Sequence, residues 1–180
     1  MVTEIELGQT ARGFSHGKFK DDNGVECSIQ DSSSASASCI WLGVEDANPM
    51  MPVEGKGWVP VDYPPMTLFH TRMHVDIKLG KRLLRSLREF IKTGNVKEYK
   101  FVDRYGLNCS LQNSSAAERI WLGPDDAAPE TCGGEWGLGW RPTKFPPETR
   151  FTTRMHLHIE QAQLLVPALV RFIKTGSIEE

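Results

Sequence analysis

Apolar and polar residues alternate from Phe19 to Gln30 and again from Phe101 to Gln112, the period of a half-buried strand. In FKDDNGVECSIQ, a Phe-x-Asp segment, a polar turn closed by Gly24 and a second alternating run predict a β-hairpin. Cys27 and Ile29 take one face of its second strand, Ser28 and Gln30 the other, because successive side chains point to opposite sides. IWLG predicts a third strand that sets Ile40 and Leu42 against Trp41. TRMH predicts a fourth that sets Met73 and Val75 against Arg72 and His74. The period then changes: Leu79, Leu83, Leu87, Phe90 and Ile91 recur at helical spacing, with Asp76 placed as N-cap and Gly94 just past the last turn.

The same order of patterns occurs twice. FKDDNGVECSIQDSS from Phe19 aligns with FVDRYGLNCSLQNSS from Phe101, IWLG at 40–43 with 120–123, TRMH at 71–74 with 153–156, and FIKTG at 90–94 with 172–176. The offset is 82 residues except around IWLG, where the first copy carries two extra residues in a Ser/Ala-rich turn. A period of this length marks a tandem architecture. The expected organisation is an N-terminal arm over 1–16, repeat one over 17–94, a linker over 95–98 and repeat two over 99–178. The fold class is α+β: in each repeat an antiparallel sheet of about four strands backed by one C-terminal helix. In repeat two, Leu165, Leu169, Phe172 and Ile173 carry the helical spacing, and Pro167 inside it predicts a bend. About 25 residues rich in Pro, Gly and Trp separate the third and fourth strands of each repeat. Connections that long are uncommon without structure of their own, so one more short strand is expected near Gly57–Val61 and near Gly139–Pro142.

At 39% hydrophobic and 24% charged residues, the 180-residue chain has the composition of a globular protein, which excludes extended disorder, collagen and coiled coil. Twenty-one basic against 23 acidic residues, a formal charge of −2, do not favour a nucleic-acid partner. No apolar run approaches the roughly 20 residues of a membrane helix, and MVTEIELGQTARG lacks a signal-peptide pattern, so the expectation is a cytoplasmic protein with no membrane partner. Cys27, Cys39, Cys109 and Cys132 show no CxxC spacing and are read as free thiols. Lys81, Arg85, Arg88 and Lys92 are read as a solvated helix face, and Asp125 and Asp126 as solvated acids, so no metal and no cofactor is expected. There is no P-loop, GxGxxG, HExxH or GxSxG.

The candidate chemistry lies on the sheet face away from the helix. That face carries Ser28, Gln30, Trp41, Arg72 and His74 in repeat one and Ser110, Gln112, Trp121, Arg154 and His156 in repeat two. Trp offers a stacking plane, Arg a planar fork for phosphate or carboxylate, and Ser, Gln and His hydrogen bonds, a set suited to a nucleotide-like ligand or to a protein hot spot. A second reading makes the two faces the seam between the repeats, and a cleft at that seam satisfies both. A third gives His74 and His156 the acid and base roles of a two-histidine phosphodiesterase. Neither histidine is followed two residues later by a hydroxyl; Asp76 and His158 stand there instead.

The string F-x-D-x-x-G-x-x-C-S-[IL]-Q-x-S-S, followed by I-W-L-G, T-R-M-H and a helix ending F-x-x-T-G, resembles a family of small uncharacterised proteins associated with bacteriophages and prophages, here in two copies. The resemblance implies a context rather than a chemistry: an accessory or anti-defence protein in a bacterial host. Such a protein sequesters a nucleotide signal or binds a host protein, without catalysis and with homo-oligomerisation open.

Overall fold

The computed structural model describes residues 5–34, 37–133 and 139–179. The α+β class expected from the sequence is the class observed: antiparallel strands in four sheets, with two helices. In chain order the first half contains β1 (Leu7–Gln9), β2 (Ser15–Lys20), β3 (Glu26–Asp31), β4 (Cys39–Val44), β5 (Met50–Val53), β6 (Gly57–Pro60), β7 (Thr67–Leu68), β8 (Arg72–Asp76) and α1 (Ile77–Thr93). The second half contains β9 (Tyr99–Val102), β10 (Asn108–Asn113), β11 (Arg119–Pro124), β12 (Glu130–Cys132), β13 (Trp140–Pro142), β14 (Met155–His158) and α2 (Ile159–Thr175).

Two sheets carry the core, in the orders β1-β2-β3-β4-β8 and β14-β11-β10-β9. The strand count therefore departs from four and four. Residues placed in an N-terminal arm join the first sheet: Ile5 is buried, and β1 pairs with β2, Leu7 opposite Gly17. Residues 1–4 of that arm lie outside the described residues. The Pro/Gly/Trp-rich excursions hold more pairing than one strand each. β5 and β6 form a hairpin, and β13, β12 and β7 form a third sheet that joins strands from both halves of the chain.

Alternation sorts the core as the period demands. Cys27, Ile29, Ile40, Leu42, Met73 and Val75 are fully buried, as are Cys109, Leu111, Ile120, Leu122, Met155 and Leu157. Leu83, Leu87 and Phe90 of α1 and Leu165, Leu169 and Phe172 of α2 close over them, and all belong to one continuous hydrophobic cluster. The two helices pack on each other at Gly80, where an added Cβ would lie 3.2 Å from the Phe172 ring. Asp76 caps α1, its Oδ1 accepting the Leu79 backbone N–H at 2.8 Å, and Gly94 ends the helix in the left-handed conformation. Pro167 sits inside α2. The glycine of each IWLG motif has a steric reason: a Cβ on Gly43 would stand 2.4 Å from the Thr71 carbonyl oxygen, and one on Gly123 2.7 Å from that of Thr153. No helix among the described residues is long and apolar enough to cross a membrane.

Candidate functional site

Two aspartates organise the contact between the halves. Asp103 begins the β9–β10 turn and is 7% exposed. Its Oδ1 accepts the backbone N–H groups of Tyr105 and Leu107 at 2.9 and 2.8 Å, while Oδ2 accepts that of His74 in β8 at 2.9 Å. Arg104 N–H completes the contact by donating to the His74 carbonyl at 3.0 Å. The reciprocal contact is built from the β2–β3 turn: Asp21 Oδ1 accepts from Asn23 and Val25, its Oδ2 accepts from His156 N–H at 3.0 Å, and Asp22 N–H donates to the His156 carbonyl at 2.8 Å. Each hairpin turn thus covers the outer edge of the other half's last core strand, where unpaired backbone groups would otherwise face outward.

Above each contact lies a Trp–His pair. Trp41 and His74 have ring centroids 4.4 Å apart, and Trp121 and His156 4.1 Å. His74 is 1% exposed and His156 6%. His74 Nε2 lies 2.7 Å from Ser32 Oγ, His156 Nε2 lies 2.9 Å from Ser114 Oγ, and neither Nδ1 has a hydrogen-bond partner. Burial holds the His74 pKa below its ordinary value, against the opposing charge of Asp103, so this imidazole is neutral near pH 7.

Beside each pair opens a cleft that takes residues from both halves. The first, of about 570 Å³, is lined by Trp41, His70 and Arg72 from one half and by Asp103, Tyr105 and Glu130 from the other, with Phe69 and Leu68 as its apolar wall. The second, of about 470 Å³, is lined by Trp121, Arg150, Thr152 and Arg154 facing Asp21 and Asn23. Both lie in the size range of small-molecule sites, about 300–1,000 Å³. Neither histidine of the TRMH motifs lines either cleft, so the geometry supplies no His–His acid and base pair to one ligand in them.

The other candidates fall around these clefts. Arg72 reaches Gln30 Oε1 at 3.5 Å and Glu45 at 3.7 Å, with its guanidinium 5.8 Å from the Trp41 ring centroid. Arg154 donates to Gln112 and lies 5.8 Å from the Trp121 ring centroid. Ser28 and Ser110 are buried and committed, donating to the carboxylates of Glu45 and Asp125. Sequence reasoning passed over Asp21, Asp103, Tyr105 and Arg150. The two aspartates carried a signal, the Phe-x-Asp that opens both repeats. Tyr105 and Arg150 carried none, since Asn23 and Leu68 occupy the equivalent places.

Cys27, Cys39 and Cys109 are buried free thiols, and Cys132 is an exposed one. Desolvation pushes the Cys27 and Cys109 thiols far above the ordinary range, which removes them as nucleophiles. No group of three or more His, Cys, Asp or Glu suited to a metal occurs among the described residues. The fold is an α+β chain with two clefts, each lined by residues from both halves of the chain. Comparison with family models, curated proteins and solved structures finds no match to it.

Proposed function

We propose that the chain is a tandem duplication of one sheet-and-helix lobe, and that it works as a non-catalytic binding protein holding a nucleotide-like ligand at the seam between the lobes. The observation that carries this reading is the recurrence of one cleft from equivalent positions: Trp41 and Trp121, Arg72 and Arg154, and Asp103 and Asp21 from the opposite turn. A tryptophan plane beside an arginine fork recognises a flat ring attached to an anionic group. Half of each polar face, the histidine end, serves the seam; the tryptophan and arginine end serves the cleft. In the phage-associated setting that the sequence resemblance implies, such a protein lowers the free concentration of a nucleotide signal without turning it over.

The test is a thermal-shift and calorimetric screen against mono-, di- and cyclic nucleotides, with chromatography of the ligand after long incubation. Binding without conversion is the expected result. Binding followed by product release would replace this reading with a catalytic one.

A protein-directed inhibitor is the second reading. It is favoured by the exposed apolar side chains of the excursions, among them Trp58 (47% exposed), Met66 (75%) and Trp140 (49%). Absence of any nucleotide response, together with loss of partner capture in Trp58→Ser, would favour it.

A further inference from the structure

The two clefts differ in two respects that bear on a ligand, and both favour the second cleft. The first concerns space over the stacked rings. In the first cleft the Tyr105 ring lies parallel to His74, centroids 4.4 Å apart at 13°, and also stacks on Trp41 at 5.6 Å. The protein fills its own stacking position there. The equivalent residue of the other turn is Asn23, and among the described residues Trp121 has no ring contact except His156.

The second difference is charge. In the first cleft both basic groups face acids: Arg72 has Glu45 at 3.7 Å, and His70 Nε2 lies 3.1 Å from Glu130. In the second, Arg150 stands where the first has Leu68. Among the described residues, neither Arg150 nor Arg154 has a carboxylate within ion-pair distance. Arg150 instead lies over the exposed Trp58 ring, 4.7 Å from its centroid. The cleft's own acids are engaged: Asp21 by three backbone N–H groups and Asp125 by Ser110.

Resting on the binding reading above, we infer that the two clefts have diverged and that the second, between Trp121, Arg150, Arg154 and Asn23, is the ligand site, taking a planar ring that carries a phosphate monoester. The ring occupies the place that Tyr105 fills in the other cleft. The arginines hold the phosphate, and the first cleft, its stacking position taken by Tyr105, serves as a structural counterpart.

The experiment is calorimetric titration of the full chain with the four common ribonucleoside 5′-monophosphates, their nucleosides and inorganic phosphate. At least one monophosphate should bind more tightly than its nucleoside and than phosphate. Trp121→Ala should weaken it at least about fivefold, as expected for loss of a stacked base. Arg154→Lys and Arg150→Ala should each weaken it by about tenfold, with the nucleoside little affected. Asn23→Tyr, which copies the Tyr105 ring into the second cleft, should block binding while the unfolding midpoint is retained. Lys81→Ala and Arg85→Ala, on the exposed face of α1, should leave affinity unchanged. Binding that survives Asn23→Tyr and Arg154→Lys but is lost in Trp41→Ala would overturn this inference and leave the binding reading standing. Failure of every nucleotide in the broader screen would overturn both.

Discussion

Replacing Asp103 by Ala removes the acceptor of three backbone N–H groups at once. Two of them, from Tyr105 and Leu107, lie in an exposed turn where water can substitute, so each forfeits only the net value of a hydrogen bond, about 0.5–1.5 kcal/mol. The third, from His74, lies at a covered strand edge and is left without an acceptor, at about 1–3 kcal/mol. Together the change should cost about 2–6 kcal/mol. Urea unfolding followed by tryptophan fluorescence reads this as a lowered midpoint at constant slope. Amide exchange should show His74 N–H losing protection ahead of the sheet interior. Asp103→Asn should fall between, because its amide oxygen can still serve the turn while its NH₂ meets the His74 N–H donor against donor. Asp62→Ala, at an exposed position, should stay within about 0.5 kcal/mol of the parent. A midpoint for Asp103→Ala equal to that of Asp62→Ala would refute the role assigned to this carboxylate.

Three further outcomes follow from burial and close approach. Leu83→Ala or Leu165→Ala should destabilise by about 2–5 kcal/mol, while exposed Lys81→Ala and Arg85→Ala remain near neutral; matched midpoints by chemical denaturation would contradict the helix packing. Gly43→Ala should cost about 3 kcal/mol or more, since its Cβ cannot coexist with the Thr71 carbonyl oxygen and β4 must part from β8; a soluble variant with an unchanged melting temperature would show otherwise. His74 titrates lower in the folded state than in the unfolded chain, so the unfolded chain binds the extra proton and stability falls as pH drops below about 6.5 towards the lowered folded value. Unfolding midpoints measured across that window should flatten in His74→Phe, and an identical slope in both proteins would remove His74 as the cause.

Much of the core was legible because it depends on neighbours in sequence. Period-2 runs placed Cys27, Ile29, Met73 and Val75 inside, and the helical spacing of Leu83, Leu87 and Phe90 placed α1 over them. Asp76 announced its cap by position alone. Ser28 shows where the same reasoning stops. Alternation turned it away from Cys27, as expected, yet it is fully buried, because Glu45 and Arg72 close over that face. The crossed pairing of the excursions was not legible either. Met50 bridges Arg150, and Glu130 pairs with Leu68, contacts fixed by tertiary approach and with no local pattern to report them. Of the site, the Trp and Arg positions could be read from the alternation. The residues that set one cleft apart from the other could not, because tertiary approach alone brings Tyr105 against Trp41 and Arg150 beside Arg154.

If the proposed duplication holds, the reciprocal capping by Asp21 and Asp103 bears on how the chain arose. A chain with only one copy of the pattern would possess the turn and the bare strand edge but could not fold one onto the other. Its turn would find that edge only on a second molecule, so a half-length ancestor would have been an obligate pair of identical subunits with two identical clefts. Joining the subunits through the short connection after Gly94 removes the dependence on concentration and breaks the identity. Tyrosine at position 105 and asparagine at position 23 are then a difference closed to any symmetric dimer, where every substitution is made twice.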